Sequence, residues 1–174
     1  MATIRGLTSQ ATETYVESVA AGFGNATEFR GAPLKLATTF TNASAGAADT
    51  VDVLFENTYT LAGSAQSIDL TAAVDRFNVS KTFARVREIR IKVRSTTDAH
   101  VVTIKPHATN GWSSPFESTT GLKLRGSTSN SDGGLILIAP NTTGYAVSGT
   151  NKVLVLDPGA STVTVDLKLI GCSA

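Results

Sequence analysis

The 174-residue chain carries one cysteine, one tryptophan, one methionine and two histidines. A lone cysteine, Cys172, excludes an intrachain disulfide, so packing must hold the fold. With His100 and His107 as the sole imidazoles and no third ligand evident, a zinc centre lacks its ligand set, and two solvent-facing loop histidines are expected. Charged residues make up only 17% of the chain and the net charge is +1, so bulk electrostatics draws it to neither nucleic acid nor anionic lipid. No run approaches the roughly 18 apolar residues of a membrane span, and "MATIRGLTSQ" lacks the apolar segment of a secretory signal. Synthesis in a cytoplasm is the expectation. The sequons at Asn25, Asn42, Asn78 and Asn141 then read as chance occurrences in a chain rich in Asn, Ser and Thr.

Apolar residues, at 41%, suffice for one packed core, and 174 residues suit one domain better than two. The strongest pattern is the alternation in "TVTVDLKLIG", with Val163, Val165, Leu167 and Leu169 on one face and Thr162, Thr164, Asp166 and Lys168 on the other. Such a two-residue period marks a half-buried antiparallel strand. "EIRIKVR" repeats it, with Ile89, Ile91 and Val93 inward and Arg90, Lys92 and Arg94 outward. Strands are also expected in "LKLATTF" from Leu34, in "TVDVLFENTYTL" with Val51, Val53 and Phe55 inward, in "VVTIK" and "GLKLR", and from Lys152 to Leu156. Asp157-Pro158-Gly159 offers a fixed φ followed by a residue that tolerates positive φ, so the last two strands are expected to form a hairpin.

"GGLILIAPNTTGYAV" tests for a phosphate loop. Nothing after Gly134 matches G-x-x-x-x-G-K-[ST], and Pro140 arrives too soon for a helix. Leu135–Ile138 is therefore read as a strand buried on both faces, followed by a turn from Pro140 to Gly144. Helical spacing occurs in only two short stretches, 12–21 with Tyr15, Val16 and Val19, and 70–77 behind Thr71. The fold expectation is all-β, a single antiparallel β-sandwich or jelly-roll-like barrel over residues 34–174 with at most two short helices. Residues 1–33, less patterned, are expected to form an N-terminal arm.

A catalytic constellation is not visible. "YAVSGT" lacks the first glycine of a nucleophile elbow, and Asp98 beside His100 is uninformative in a chain so rich in serine. Acidic residues such as Glu13, Glu17, Asp49, Asp52 and Asp75 are thinly scattered. The chain is accordingly not expected to be an enzyme or to need a cofactor or metal. The strongest local feature is charge: residues 81–94 hold six basic side chains (Lys81, Arg85, Arg87, Arg90, Lys92 and Arg94) against the single acid Glu88. The plain reading is a solvated face that discourages edge pairing. The functional one makes Arg87, Arg90, Lys92 and Arg94 a partner contact through arginine forks. No aromatics interleave with them, which disfavours a nucleic-acid groove. Trp112 and Phe116, in the polar stretch "HATNGWSSPFES", are candidate loop contacts, against the plainer reading of a lid folded onto the sandwich end.

The C-terminal segment "GGLILIAPNTTGYAVSGTNKVLVLDPGASTVTVDLKLIG" resembles the end of small structural proteins encoded by tailed phages. The matching features are an apolar strand ending in Ala-Pro, a Thr-Gly-Tyr-Ala-Val turn, a Val/Leu strand and an alternating strand ending in Ile-Gly. "DLTAAVDRFNVSKTFARVREIRIKVRS" is similar to their segment of short helix plus strand, so the resemblance spans residues 68–171. It implies a bacteriophage virion component made in the host cytoplasm, a capsid decoration or cement protein that binds and stabilises the head lattice. The implied partners are the major capsid protein or other virion subunits, with several copies of the chain in the assembly. A head-fibre, tail or connector component belongs to the same class. The alternative from another class is a receptor- or glycan-binding module using Trp112 and Phe116.

Overall fold

The computed structural model describes residues 50–173, except 96, 98, 117, 127–132 and 139–143, together with four strands nearer the N-terminus. Those four are β1 (Leu7–Glu13), β2 (Val16–Ala20), β3 (Ala26–Arg30) and β4 (Leu34–Asn42). Next come β5 (Thr50–Val51), β6 (Val53–Ala62), β7 (Gln66–Asp69), β8 (Ala73–Val74) and β9 (Ser80–Lys81). The remaining strands are β10 (Arg85–Arg94), β11 (Val101–Pro106), β12 (Leu122–Arg125), β13 (Gly133–Ile138), β14 (Tyr145–Ala146), β15 (Val153–Asp157) and β16 (Thr162–Cys172). No helix occurs among the described residues.

Two antiparallel sheets form a sandwich. One runs β13-β10-β16-β6, with β14 also paired to β10, and the other runs β12-β11-β15-β7. Between them lies one core, to which β10 contributes Ile89, Ile91 and Val93 and β16 contributes Val163, Val165, Leu167 and Leu169. The facing sheet supplies Ile68, Val102, Ile104, Leu154 and Leu156. The alternation read from the sequence thus holds on both strands, with Thr162 exposed and Thr164, Asp166 and Lys168 half-buried on the outer face of β16. Val53 and Phe55 also point into this core, whereas Val51 is buried in a separate cluster with Ile170 and Leu54. Asp52 explains the difference: it separates β5 from β6, donating its N–H to Gly171 O at 3.0 Å. Strand geometry is confirmed for 133–138, but the expected burial of Leu135 and Leu137, most of the Pro140–Gly144 turn and Asp98 lie outside the described residues.

Three expectations are corrected. The stretch 16–20 is a strand paired antiparallel with β3, not a helix. The stretch 70–77 is not a helix but two turns around the short strand β8, because Asp69 and Asp75 satisfy local backbone donors and hold the chain in turns. The last two strands are not a hairpin: β15 pairs with β11 and β7, and β16 with β10 and β6, in the opposite sheet. Asp157 Oδ1 accepts the N–H of Gly159 at 2.9 Å and Pro158 O that of Ser161 at 3.1 Å, so the turn forms as its residues demand. It then carries the chain across the sandwich. Ion pairs anchor β15 in its own sheet, Lys105 with Asp157 at 2.6 Å and Lys152 with Asp69 at 2.7 Å.

β10 contains a bulge. Val86 pairs with Gly171 and Glu88 with Ile170, leaving Arg87 as the extra residue. A Cβ on Gly171 would meet Arg85 O at 2.1 Å, so the kinked backbone comes too close for any side chain there. Gly144, at φ +56°, lies against the Arg87 side chain, and a Cβ there would meet Val86 O at 2.9 Å.

The core assignment makes a sharp register test. Val165→Asp is expected to destabilise the protein by about 3 kcal/mol or more, because a carboxylate would be buried without a partner. Thr164→Asp, on the outer face, should cost about 0.5 kcal/mol or less. Urea unfolding of the two variants checks it; equal costs would mean a register error of one residue.

Candidate contact surface

The basic stretch lies on the outer face of the five-stranded sheet, where successive rows bring β10, β16 and β6 side by side. Arg90 faces Lys168, which faces Glu56; Lys92 faces Asp166, which faces Thr58. Arg94 faces Thr164, which faces Thr60. Folding therefore dilutes the charge that is concentrated in the sequence. Across β10, β16 and β6 the register puts Arg85, Arg90, Lys92, Arg94 and Lys168 on this face against Glu56, Asp166 and the buried Glu88, five positive charges to three negative. Arg94 Nε contacts Asp166 Oδ2 at 2.6 Å, and Thr58 Oγ1 donates to Asp166 Oδ1 at 2.8 Å.

The four basic candidates do not share one environment. Lys92 and Arg94 are exposed and Arg90 is half-buried, so these three stand where alternation puts them. Arg87 does not: it is fully buried at the bulge, against the Cys172 thiol and Gly144, and is removed from any surface contact. The extra residue resets the alternation, a displacement that a regular period cannot anticipate. Burial pushes the Cys172 thiol above its ordinary value, an effect the neighbouring Arg87 partly offsets. Arg90 is tied through Nε to Glu88, whose side chain is completely buried. Glu88 Oε2 has no hydrogen-bond partner among the described residues, so the Arg90 contact through Oε1 is one compensation for the buried carboxylate.

A hollow of about 570 Å³ opens on this face, bounded by Glu56, Thr58, Arg90, Lys92, Asp166 and Lys168. Gly134, paired with Lys92, leaves one side of it without a side chain. The rim carries donors and acceptors of both signs, suited to polar contacts with another protein surface.

Trp112 and Phe116 follow the plainer reading. Trp112 is fully buried in the core, its ring edge-on to Phe116 and Tyr145 at centroid separations of 6.5 and 6.2 Å. Its Nε1–H donates to Ala146 O at 2.8 Å, and Ser114 Oγ donates to the same carbonyl at 2.9 Å. Phe116 is half-buried. The loop is a lid, and Trp112 offers no platform for a sugar. His100 and His107 flank the single strand β11 at opposite ends, roughly 20 Å apart by strand rise, so they do not converge. His100 Nδ1 lies 2.9 Å from Ser95 Oγ, and His107 Nδ1 accepts the N–H of Thr109 at 3.0 Å. No group of three metal-ligating side chains occurs among the described residues.

One surface feature went unread in the sequence. The β8–β9 hairpin exposes Val74, Phe77 and Val79, with Phe77 at 71% the most exposed large apolar residue described. Asp75 fixes the tip: Oδ1 accepts the N–H groups of Phe77 and Val79, both at 2.9 Å, and Oδ2 lies 3.4 Å from Lys81 Nζ. Asn78 adopts φ +60°, and the Arg76 guanidinium lies 4.8 Å from the Phe77 ring centroid. The legible signal was Asp75 two residues ahead of Phe77 and four ahead of Val79, an Asx turn rather than a helical spacing. The chain matches no family model, and no curated protein or solved structure is significantly similar to it.

Two outcomes follow from this geometry. Arg90→Glu should destabilise the fold by about 3 kcal/mol, since it sets a second carboxylate against buried Glu88, whereas Lys92→Gln should cost about 0.5 kcal/mol or less. Thermal unfolding of the two variants measures the contrast. The Val79 and then the Phe77 N–H, with Lys81, hold the Asp75 carboxyl below its ordinary value of 3.8. Its stabilising contribution is therefore complete above 3.8 and is lost as pH falls through the lower folded value. Protection of the Phe77 and Val79 amides, measured as exchange relative to the unstructured rate at the same pH, should fall in that acid window, and in Asp75→Asn, which keeps an acceptor but does not titrate, it should not.

Proposed function

We propose that the protein is a non-enzymatic structural component of a bacteriophage virion, a decoration or cement protein that binds the head lattice and stabilises it. The observation that carries the reading is the strand order. Taking the eight sandwich strands in chain order, the sheets run first-eighth-third-sixth and second-seventh-fourth-fifth. That order supports a jelly roll, an architecture of viral capsid and lectin domains. The resemblance of residues 68–171 to tailed-phage structural proteins points the same way within that pair. The mixed-sign outer face fits a role exercised through surface complementarity, with the major capsid protein or other virion subunits as partners. A ligand that binds only the assembled lattice shifts assembly toward it by mass action.

Glycan or receptor binding is the rival, and lectin jelly rolls keep it in view. It loses its named anchor, because Trp112 is buried and serves the core.

Co-purification separates the two. Added to capsids lacking it, the protein should bind in a fixed, symmetry-related copy number, measured by quantitative mass spectrometry of purified particles. Lys92→Glu with Arg94→Glu should weaken that binding, and added salt should weaken the wild-type contact. Absence of capsid binding together with retention on a polysaccharide column would overturn the reading. Trp112→Ala is expected to cost about 3–5 kcal/mol of stability, not to remove a binding platform.

A further inference from the structure

The edge of the five-stranded sheet at β6 is built unlike a protected edge. The hydrogen bonds at its two ends fix the phase of the strand. Gly63 N–H donates to Ser161 O at 3.0 Å, continuing the ladder with β16, so the odd-numbered residues of β6 turn their backbone groups toward β16. Arg76 N–H donates to Glu56 O at 3.0 Å from the opposite side, so the even-numbered residues turn theirs outward. Near the start of β6 that outward edge is occupied by the β8–β9 hairpin, which also accepts Asn57 Nδ2 at Val74 O, 3.1 Å away. At the far end the chain leaves the edge at Gly63, φ +69°. Between them Thr58-Tyr59-Thr60-Leu61-Ala62 forms an open edge with no charge, no proline and no bulge, the usual devices against strand addition. Among the described residues, only the Thr58 N–H of this segment's outward groups is occupied, by Asn57 Oδ1 at 2.8 Å. β12, by comparison, is guarded by Lys123 and Arg125, and β7 is only four residues long.

We infer that this edge pairs with the same edge of a second copy, antiparallel about a twofold axis through Thr60. The open segment matches itself under that operation. Thr60 meets the second copy's Thr60 as a pair exchanging two hydrogen bonds, and Thr58 meets its Ala62. On the outer face the opposed side chains are then Thr with Thr and Thr with Ala; toward the core they are Tyr59 and Leu61. No like charges face each other, and threonine and aromatic–aliphatic pairs are favourable across strands. The same register explains the exposed tip. Residue 56 of one copy lies opposite residue 64 of the other, so the hairpin fixed to Glu56 and Asn57 is set beside the exposed 62–65 turn. Phe77, Val74 and Val79 gain cover there, and the tip is already ordered by Asp75, so little entropy remains to be lost on binding. The inference does not depend on the virion reading, since it concerns only two copies of this chain.

Sedimentation equilibrium on the full chain should show a dimer that dissociates on dilution. Thr60→Lys, which opposes two ammonium groups at the axis, should raise the dissociation constant by about tenfold or more while leaving the far-UV spectrum of the monomer unchanged. Phe77→Ser should weaken the dimer too. Cysteine scanning fixes the register: Thr60→Cys should give a disulfide-linked dimer on mild oxidation, because paired Cα atoms lie within disulfide reach. Ala62→Cys should not, since its own counterpart would lie roughly 13 Å away along the strand. A wild-type chain that stays monomeric, a dimer indifferent to Thr60→Lys, or equal crosslinking from Ala62→Cys overturns the inference. If Thr60→Lys fails to fold, the cysteine pair decides.

Discussion

The structure depends on β16 lying between β10 and β6 with one face wholly apolar. Val163, Val165, Leu167 and Leu169 are all buried, and their strand pairs over ten positions with β6 and nine with β10. Because the pairing register is shared, the position of β16 determines which β10 side chains face the core and which face out. The charge rows across the outer face are a consequence: the Arg94–Asp166 contact exists because β16 sets Asp166 next to the position facing Arg94. The second sheet covers the apolar side, and with it β16 is shielded on both edges and one face.

The bulge at Arg87 is the main departure from this regularity, and it changes the chemistry of the candidate surface. It takes one guanidinium out of a run that otherwise alternates and buries it against Cys172. Next to it, Glu88 is sealed from water with Arg90 as its counter-ion. The four basic candidates therefore divide into a structural part, buried Arg87 and half-buried Arg90 paired with Glu88, and an exposed part, Lys92 and Arg94. Only the second is suited to a partner. Buried ion pairs stabilise little on balance but are costly to break from one side, so this division constrains which substitutions can probe function.

The open segment of β6 and the apolar tip of β8–β9 lie at one edge of the same sheet. The mixed-sign face suits weak, salt-sensitive contacts with a charged surface, whereas the edge and the tip suit a partner that brings a strand and an apolar turn. A β-sandwich with both presents two distinct surfaces for contact, one a face and one an edge.

Local period and local turn chemistry were sufficient for much of the sandwich. Alternation in 88–94 and 162–169 identified strands, faces and core residues, and Asp157-Pro158-Gly159 identified a turn, because each depends on residues a few positions apart. The same logic failed where a distant segment made the choice. A hairpin and a crossover between sheets use the same Pro-Gly turn, and only the pairing of β15 with β11 and β7 selects the crossover. Helical spacing at 16–20 yielded to pairing with β3, and the spacing at 70–77 to the Asp75 turn. Trp112 follows the lid reading and not the loop contact, and its place in the core is set by Tyr145 and Ala146, more than thirty residues on. Residue type and period determined which segments are strands and which faces are apolar. Sheet partners, the bulge at Arg87, the neutralisation of the basic stretch and the open edge at Thr60 were decided by tertiary contacts, since each depends on which distant strand lies alongside.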